Sequence, residues 1–157
     1  FWRDRRVFPF LLFGFLVATC QTAQAQTLGF LIIDRLGTSP LEAQDFISVA
    51  MAFGAVAGLL AQWGVIRMFD MGPRALMRWG AGVAAAGTVL IALSTDYWSV
   101  VAGYALASLG FGLARPGFTA GASLSVNMGE QARAAGLIAS VNGLNVILAP
   151  AFVFAYE

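Results

Sequence analysis

Apolar residues fill five long stretches of this chain, and short polar segments separate them. The stretches cover residues 7–33, 46–68, 75–93, 97–126 and 134–155. A hydrocarbon core about 30 Å thick needs roughly 20 mostly apolar residues per spanning helix, so each stretch is long enough to cross a bilayer. The pattern therefore predicts an all-α fold, a polytopic transmembrane helix bundle with five spanning helices.

Capping residues at the boundaries refine the limits of these helices. Ser39-Pro40-Leu41-Glu42 combines a capping serine, a proline at the first helical position and a glutamate that completes a capping box. Asn127-Met128-Gly129-Glu130 repeats the device before the last stretch, and Gly72-Pro73 interrupts the chain between the second and third. We expect helices at about 7–33, 40–68, 74–94, 97–126 and 130–155.

The arginines indicate the orientation of the chain. All nine basic residues are arginine, and most lie before the first stretch, between the second and third, or just before the fifth: Arg3, Arg5, Arg6, Arg67, Arg74, Arg78 and Arg133. Loops rich in Lys and Arg stay in the cytoplasm. The chain is therefore predicted to start in the cytoplasm, cross five times and end outside.

Composition excludes several classes of protein. Hydrophobic residues make up 59% of the 157 residues, charged residues make up 11%, and the mean hydropathy is +0.78. The core of a soluble protein of this size could not bury so much apolar surface. With no histidine and a single cysteine, Cys20, neither a metal site nor an internal disulfide is expected. Phosphate-loop, nucleophile and nucleic-acid-binding motifs are also missing, so we expect no enzyme, no cofactor and no nucleic-acid partner.

Small residues recur four positions apart in three of the stretches, a spacing that lets helix backbones approach closely. The rows are Ala50, Gly54 and Gly58; Gly80, Ala84 and Thr88; and Ala135, Ala139 and Gly143. They predict a compact bundle in which helices pack against one another.

Polar side chains in the apolar stretches are candidates for a substrate cavity. Lipid offers no hydrogen bonds, so a polar group at mid-depth needs a partner or water. Gln21 and Gln24 share one face of the first helix, and we favour a cavity-lining role over hydrogen bonding to a neighbouring helix. Asn142 and Asn145 share a face of the fifth helix, where interhelical bonding is the stronger interpretation. Arg115 either meets an anionic group or extends to the headgroups.

The fourth stretch contains a candidate hinge. Pro116 removes a backbone hydrogen bond within the helix, and Gly112 and Gly117 flank it. Such a segment can bend during a conformational change, but the glycines could equally serve close packing alone. Both interpretations remain open at this point.

Several motifs, in this order, resemble the C-terminal half of a major facilitator superfamily transporter, its seventh to eleventh helices. Arginines precede a glutamine-bearing helix, and residues 47–54 resemble the family's eighth helix. Asp70, Gly72 and Arg74 look like a remnant of its cytoplasmic loop motif. Gly110-Phe111-Gly112-Leu113-Ala114-Arg115-Pro116-Gly117 resembles the tenth helix, and residues 130–144 resemble the eleventh. The bacterial drug:proton antiporters of the tetracycline-efflux type are the most similar branch.

This resemblance implies a function for the chain. It would be a C-terminal half-domain fragment, residues 1–157, of a secondary transporter whose N-terminal half is a further partner. Such transporters export small organic molecules by alternating access with proton coupling, across the bacterial inner membrane, and their first and fourth helices in each half line the cavity. The partners would be the lipid bilayer and a small-molecule substrate. Alternatives are an uptake transporter for a sugar or organic anion, and a non-transporting scaffold subunit.

The arginine bias makes the topology testable. In a background with Cys20 replaced by serine, single cysteines at Thr38 and Pro73 are expected to react with membrane-impermeant reagents from opposite sides of the membrane. Labelling of both positions from outside intact cells would contradict the predicted orientation.

Overall fold

The computed structural model describes residues 3–37, 39–70 and 72–156, so Thr38, chosen above for labelling, lies outside the described residues. Five long helices account for most of these residues: α1 Phe8–Leu36, α2 Pro40–Leu60, α3 Pro73–Ala92, α4 Tyr97–Leu124 and α5 Gln131–Tyr156. The described ranges contain no β-strand. The predicted all-α helix bundle is thus confirmed.

The start of α2 follows from its capping residues. Ser39 is the N-cap, its hydroxyl accepts a hydrogen bond from the backbone N–H of Glu42 at 3.3 Å, and Pro40 is the first helical residue. At its other end α2 continues through a π-helical turn, Ala61–Val65, into a final helical turn, Ile66–Phe69. The sequence does not predict the π turn, because hydrophobic periodicity does not resolve one extra residue in a helix.

Among the described residues, four segments are long and apolar enough to span a membrane: Phe8–Leu36, Pro40–Val65, Pro73–Ala92 and Tyr97–Leu124. Large apolar side chains cover the outside of the bundle; Trp63 is 67% exposed and Ile147 is 75% exposed. Many residues of the interior, in contrast, are small, among them Ala50, Ala107 and Ala114. Large apolar residues outside and small residues inside are the distribution expected of a bundle surrounded by lipid.

The hydrophobic contacts define the direction of each helix. The beginning of α1 packs with the end of α4 and the beginning of α5, through Val7, Leu11, Ala122, Val126 and Ala134. The end of α1 packs with the beginnings of α2 and α4, through Leu28, Ile32, Ala43, Ala50, Val100 and Val101. Successive helices therefore run in opposite directions. Arg5, Arg6, Arg74 and Arg78 come together at one end of the bundle, which we call the arginine-rich end.

The backbones of α3 and α4 are in direct contact, and glycine makes this possible. A Cβ atom added to Gly110 would meet the backbone nitrogen of Ala84 and lie 2.6 Å from the carbonyl oxygen of Gly80. One added to Gly80 would lie 2.5 Å from the backbone nitrogen of Ala114. Further along, Gly87 and Gly103 are equally close to the opposite helix. The row that begins with Gly80 and Ala84 therefore packs as predicted.

The other two small-residue rows differ from each other. In α2, a Cβ atom on Gly54 would lie 2.6 Å from the ring of Tyr104, and Ala50 is buried, so this row packs against α4. In α5, nothing lies within 4 Å of where the Cβ of Gly143 would be, and Ala135 and Ala139 are exposed. The expected packing of the α5 row is wrong for the described chain, because α5 turns its other side toward α1.

Arg35 connects α1 to α3 at the end of the bundle opposite the arginine-rich end. Its guanidinium donates hydrogen bonds to the carbonyl oxygens of Ser94 and, at 3.1 Å, Ala92. These carbonyls lie at and just beyond the C-terminus of α3, where helix carbonyls lack partners and a positive charge is favourable. The bond joins the last turn of α1 to the end of α3.

The glycine contacts of α3 and α4 can be tested by adding one methyl group. Gly110→Ala is expected to destabilise the complete protein by about 1–3 kcal/mol, since the backbones must move apart. Gly82→Ala is the matched control on α3, where a Cβ atom would meet nothing within 4 Å. Unfolding in mixed detergent micelles measures both, and equal stability of the two variants would contradict the close packing.

Candidate functional site

Three polar side chains from three different helices meet at one point along the bundle. Arg115 of α4 lies with its Nη1 3.4 Å from Oε1 of Gln21 on α1, and with its Nη2 3.5 Å from Oδ1 of Asn142 on α5. Gln21 and Asn142 are partly buried, while Arg115 is exposed. Three of the predicted cavity residues therefore form one cluster, which we call the Arg115 cluster.

The positions of these residues along their helices place the cluster well inside the apolar part of the bundle. Gln21 and Asn142 lie near the middle of α1 and α5. Arg115 lies about 14 Å from the end of α4 at a rise of 1.5 Å per residue. Both partners of the guanidinium are neutral amide oxygens at the outer limit of hydrogen-bond length. The cluster thus carries one net positive charge and, with its amide oxygens turned to Arg115, is rich in N–H donors.

Gln24 has a different environment from Gln21. Its Nε2 donates to the hydroxyl of Thr88 on α3 at 2.5 Å, and that hydroxyl donates in turn to the carbonyl of Ala84 at 2.8 Å. Gln24 thus makes an interhelical hydrogen bond, the alternative to a cavity-lining role. Thr88 belongs to a row of small residues, and its hydroxyl in an apolar helix is the sequence signal that identifies it as a hydrogen-bond partner.

Asn145 also bonds between helices. It is 3% exposed, its Oδ1 accepts from the hydroxyl of Thr19 on α1 at 2.8 Å, and its Nδ2 donates to the carbonyl of Val141 at 2.9 Å. Asn142 and Asn145 share a face of α5, but only Asn142 reaches the Arg115 cluster. The Thr19–Asn145 pair supports the stronger interpretation made for this helix.

The helix around Pro116 is unbroken, since α4 runs from Tyr97 to Leu124 through the proline. Gly112 and Gly117 both lie against neighbouring helices. A Cβ atom on Gly112 would lie 3.1 Å from the carbonyl oxygen of Gly58, and one on Gly117 would lie 2.9 Å from Cβ of Leu76. Close packing is therefore one role of both glycines, and bending at Pro116 remains a hypothesis.

The residues of the loop-motif remnant lie at the arginine-rich end. Asp70 ends the last turn after α2 in the left-handed conformation, with φ of 46°, and Gly72 is the N-cap of α3. Arg74 follows in the first turn of α3. Among the described residues, neither Asp70 nor Arg74 takes part in an ion pair.

The ion pairs found in the described ranges lie at the same end and involve Arg6. Its guanidinium is 2.7 Å from Asp4 and 3.3 Å from Glu130, which links the N-terminal segment to the start of α5. The side-chain hydrogen bonds from Arg6 lower the pKa of Asp4 from 3.8 to about 2. Asp4 is therefore ionised throughout the physiological range and compensates Arg6.

The described residues offer no group of three or more His, Cys, Asp or Glu side chains that could bind a metal ion. Cys20 is exposed and unpaired by any disulfide. The chemistry available at the Arg115 cluster is hydrogen bonding and charge, which suits recognition of a polar molecule more than its transformation.

Comparison with known proteins identifies the family. The family model described as Major Facilitator Superfamily matches residues 1–150. No curated protein and no solved structure matches the chain. The family consists of secondary transporters, in agreement with the expected absence of enzymatic activity. The match covers nearly the whole of this helix bundle, and the chain belongs to the Major Facilitator Superfamily as a multi-pass membrane protein that serves transport.

Proposed function

We propose that this chain is part of an exporter of small organic molecules that works by alternating access, and that the Arg115 cluster lines its substrate pathway. The observation that carries the proposal is the meeting of Gln21, Arg115 and Asn142 from three helices at one depth. Placing polar groups in a membrane bundle costs free energy, so a donor-rich cluster with one uncompensated charge indicates a functional role. A passing substrate that accepts hydrogen bonds would supply the missing partners.

A second candidate, transport of an organic anion, has its own support. The described helices carry no acidic residue near the depth of Arg115; Asp34, Glu42, Asp45 and Asp96 lie toward the helix ends. A carboxylate or phosphate on the substrate would pair with Arg115 and receive further bonds from the amides of Gln21 and Asn142. Uptake and export would use the same cluster, so its chemistry indicates only the class of substrate. The direction of transport is inferred from the resemblance to efflux proteins.

Proton coupling is part of the proposal by the same resemblance. Proton-driven transporters relay protons through carboxylates inside the membrane. Since the acidic residues that the structure describes lie toward helix ends or in connections, we infer that the relay carboxylate would belong to another part of the transporter.

The part of Gln21 in the substrate pathway can be tested by substitution. Gln21→Leu removes one side of the Arg115 cluster and is expected to lower transport by the complete protein about threefold to tenfold, the effect of one lost hydrogen bond. Accumulation in the membrane should stay near that of the parent, since the bond to Arg115 is long. Gln26→Leu is the matched control, because Gln26 is an exposed glutamine on another side of α1. Unchanged transport by Gln21→Leu would show that Gln21 does not serve the substrate.

The hinge hypothesis predicts a kinetic effect of Pro116. Pro116→Ala gives the helix an N–H that can bond the carbonyl of Gly112, so α4 should become stiffer without losing stability. We expect turnover in proteoliposomes to fall severalfold while substrate affinity changes little, because binding needs one conformation and turnover needs two.

Pro150 provides the comparison for this experiment. It also lies inside a helix, α5, and is exposed. Pro150→Ala is expected to leave turnover near the parent value. If Pro116→Ala also turns over at the parent rate, the proline serves packing and the hinge hypothesis is wrong.

A further inference from the structure

An open cavity of about 990 Å³ lies at the arginine-rich end of the bundle, between the beginning of α1, the beginning of α3 and the end of α4. Four arginines line it: Arg5 and Arg6 from the segment before α1, and Arg74 and Arg78 from α3. Arg74 and Arg78 are four residues apart and so share a face of α3. We call this cavity the arginine pocket. It lies at the predicted cytoplasmic end, away from the Arg115 cluster.

The arginine pocket has an excess of positive charge. Asp4 and Glu130 compensate Arg6, as their distances of 2.7 and 3.3 Å show. Arg5, Arg74 and Arg78 form no ion pair with any described residue. The N-cap of α3 is Gly72, which has no side chain to cap the first N–H groups, so the positive end of this helix adds to the same field. The pocket therefore favours an anionic ligand.

The remaining walls of the arginine pocket are apolar. Phe10, Phe13, Met77 and Leu124 line it beside the arginines, and Leu124 is 73% exposed. A soluble anion gains nothing from such walls, whereas a phospholipid has both a phosphate for the arginines and acyl chains for the apolar surface. The pocket opens at the end of membrane-spanning helices, the depth at which headgroups lie.

We propose that the arginine pocket binds the headgroup of an anionic phospholipid. The phosphodiester lies between Arg5 and the Arg74–Arg78 face of α3, and the acyl chains lie along Phe13 and Met77. One lipid thereby connects α1 to α3 at the arginine-rich end. Arg35 connects the same two helices at the opposite end.

Native mass spectrometry of the complete protein in mild detergent tests the proposal with phosphatidylglycerol and phosphatidylcholine as probes. We expect the parent to retain phosphatidylglycerol in preference to phosphatidylcholine. The double variant R74Q/R78Q should bind phosphatidylglycerol about thirtyfold more weakly, from the usual contribution of two basic residues at an anionic surface. Its weak binding of phosphatidylcholine should not change.

Arg67 provides a matched control at the same end of the bundle. Its guanidinium lies 5.1 Å from the centre of the Trp63 ring, and it does not line the arginine pocket. R67Q is expected to bind phosphatidylglycerol as the parent does, while R74K/R78K, which keeps both charges, should stay within about threefold of the parent. If R74Q/R78Q fails to accumulate, the single variant R78Q takes its place, with an expected loss of about fivefold.

Three outcomes would overturn the proposal. Equal phosphatidylglycerol affinity of the parent and the glutamine variant would show that the pocket is not the site. An equal loss in R67Q would assign the effect to overall charge. Displacement of the lipid by inorganic phosphate or glycerol phosphate at similar concentrations would identify a site for soluble anions.

Discussion

Direct backbone contact between α3 and α4 is the constraint on which the rest of the bundle depends. Inside a bilayer the hydrophobic effect does not drive helices together, because lipid is as apolar as their side chains. Dispersion forces between closely packed atoms must do so, and they are strong only at short distance. Gly80, Gly87, Gly103 and Gly110 permit that distance. With α3 fixed on one side of α4, its other sides are available to α1 and α2.

Hydrogen bonds between polar side chains specify which helix faces meet, which small residues alone do not. Gln24 bonds Thr88 and Asn145 bonds Thr19, so α1 is joined to α3 on one side and to α5 on the other. These bonds fix the rotation of α1 about its axis. That rotation directs Gln21 toward Arg115. The guanidinium of Arg115 makes only long hydrogen bonds there and has no tight partner. The polar residues that bond between helices and those proposed to line the substrate pathway thus differ in bond length and charge.

Local properties of single residues made much of the fold predictable. Length and hydropathy predicted five helices, Pro40 predicted the start of α2, and arginine bias predicted which connections share an end of the bundle. The partner of each helix face could not be predicted in the same way. Gln21 and Gln24 lie only 60° apart around α1, yet they contact different helices, and the sequence contains no information on where one neighbour ends and the next begins. Likewise, the row that begins with Gly80 predicted that another helix approaches α3 closely, but it did not predict that this helix is α4.

The bond from Arg35 to the end of α3 has a mechanical consequence. Two carbonyls of one connection hold the last turn of α1, and Gln24 holds the same helix to α3 near its middle. Any tilt of α1 at this end must drag the α3–α4 connection with it. The half of α1 beyond Gln21 is therefore attached to α3 at two points along its length, so a tilt of this half would have to be shared by α3.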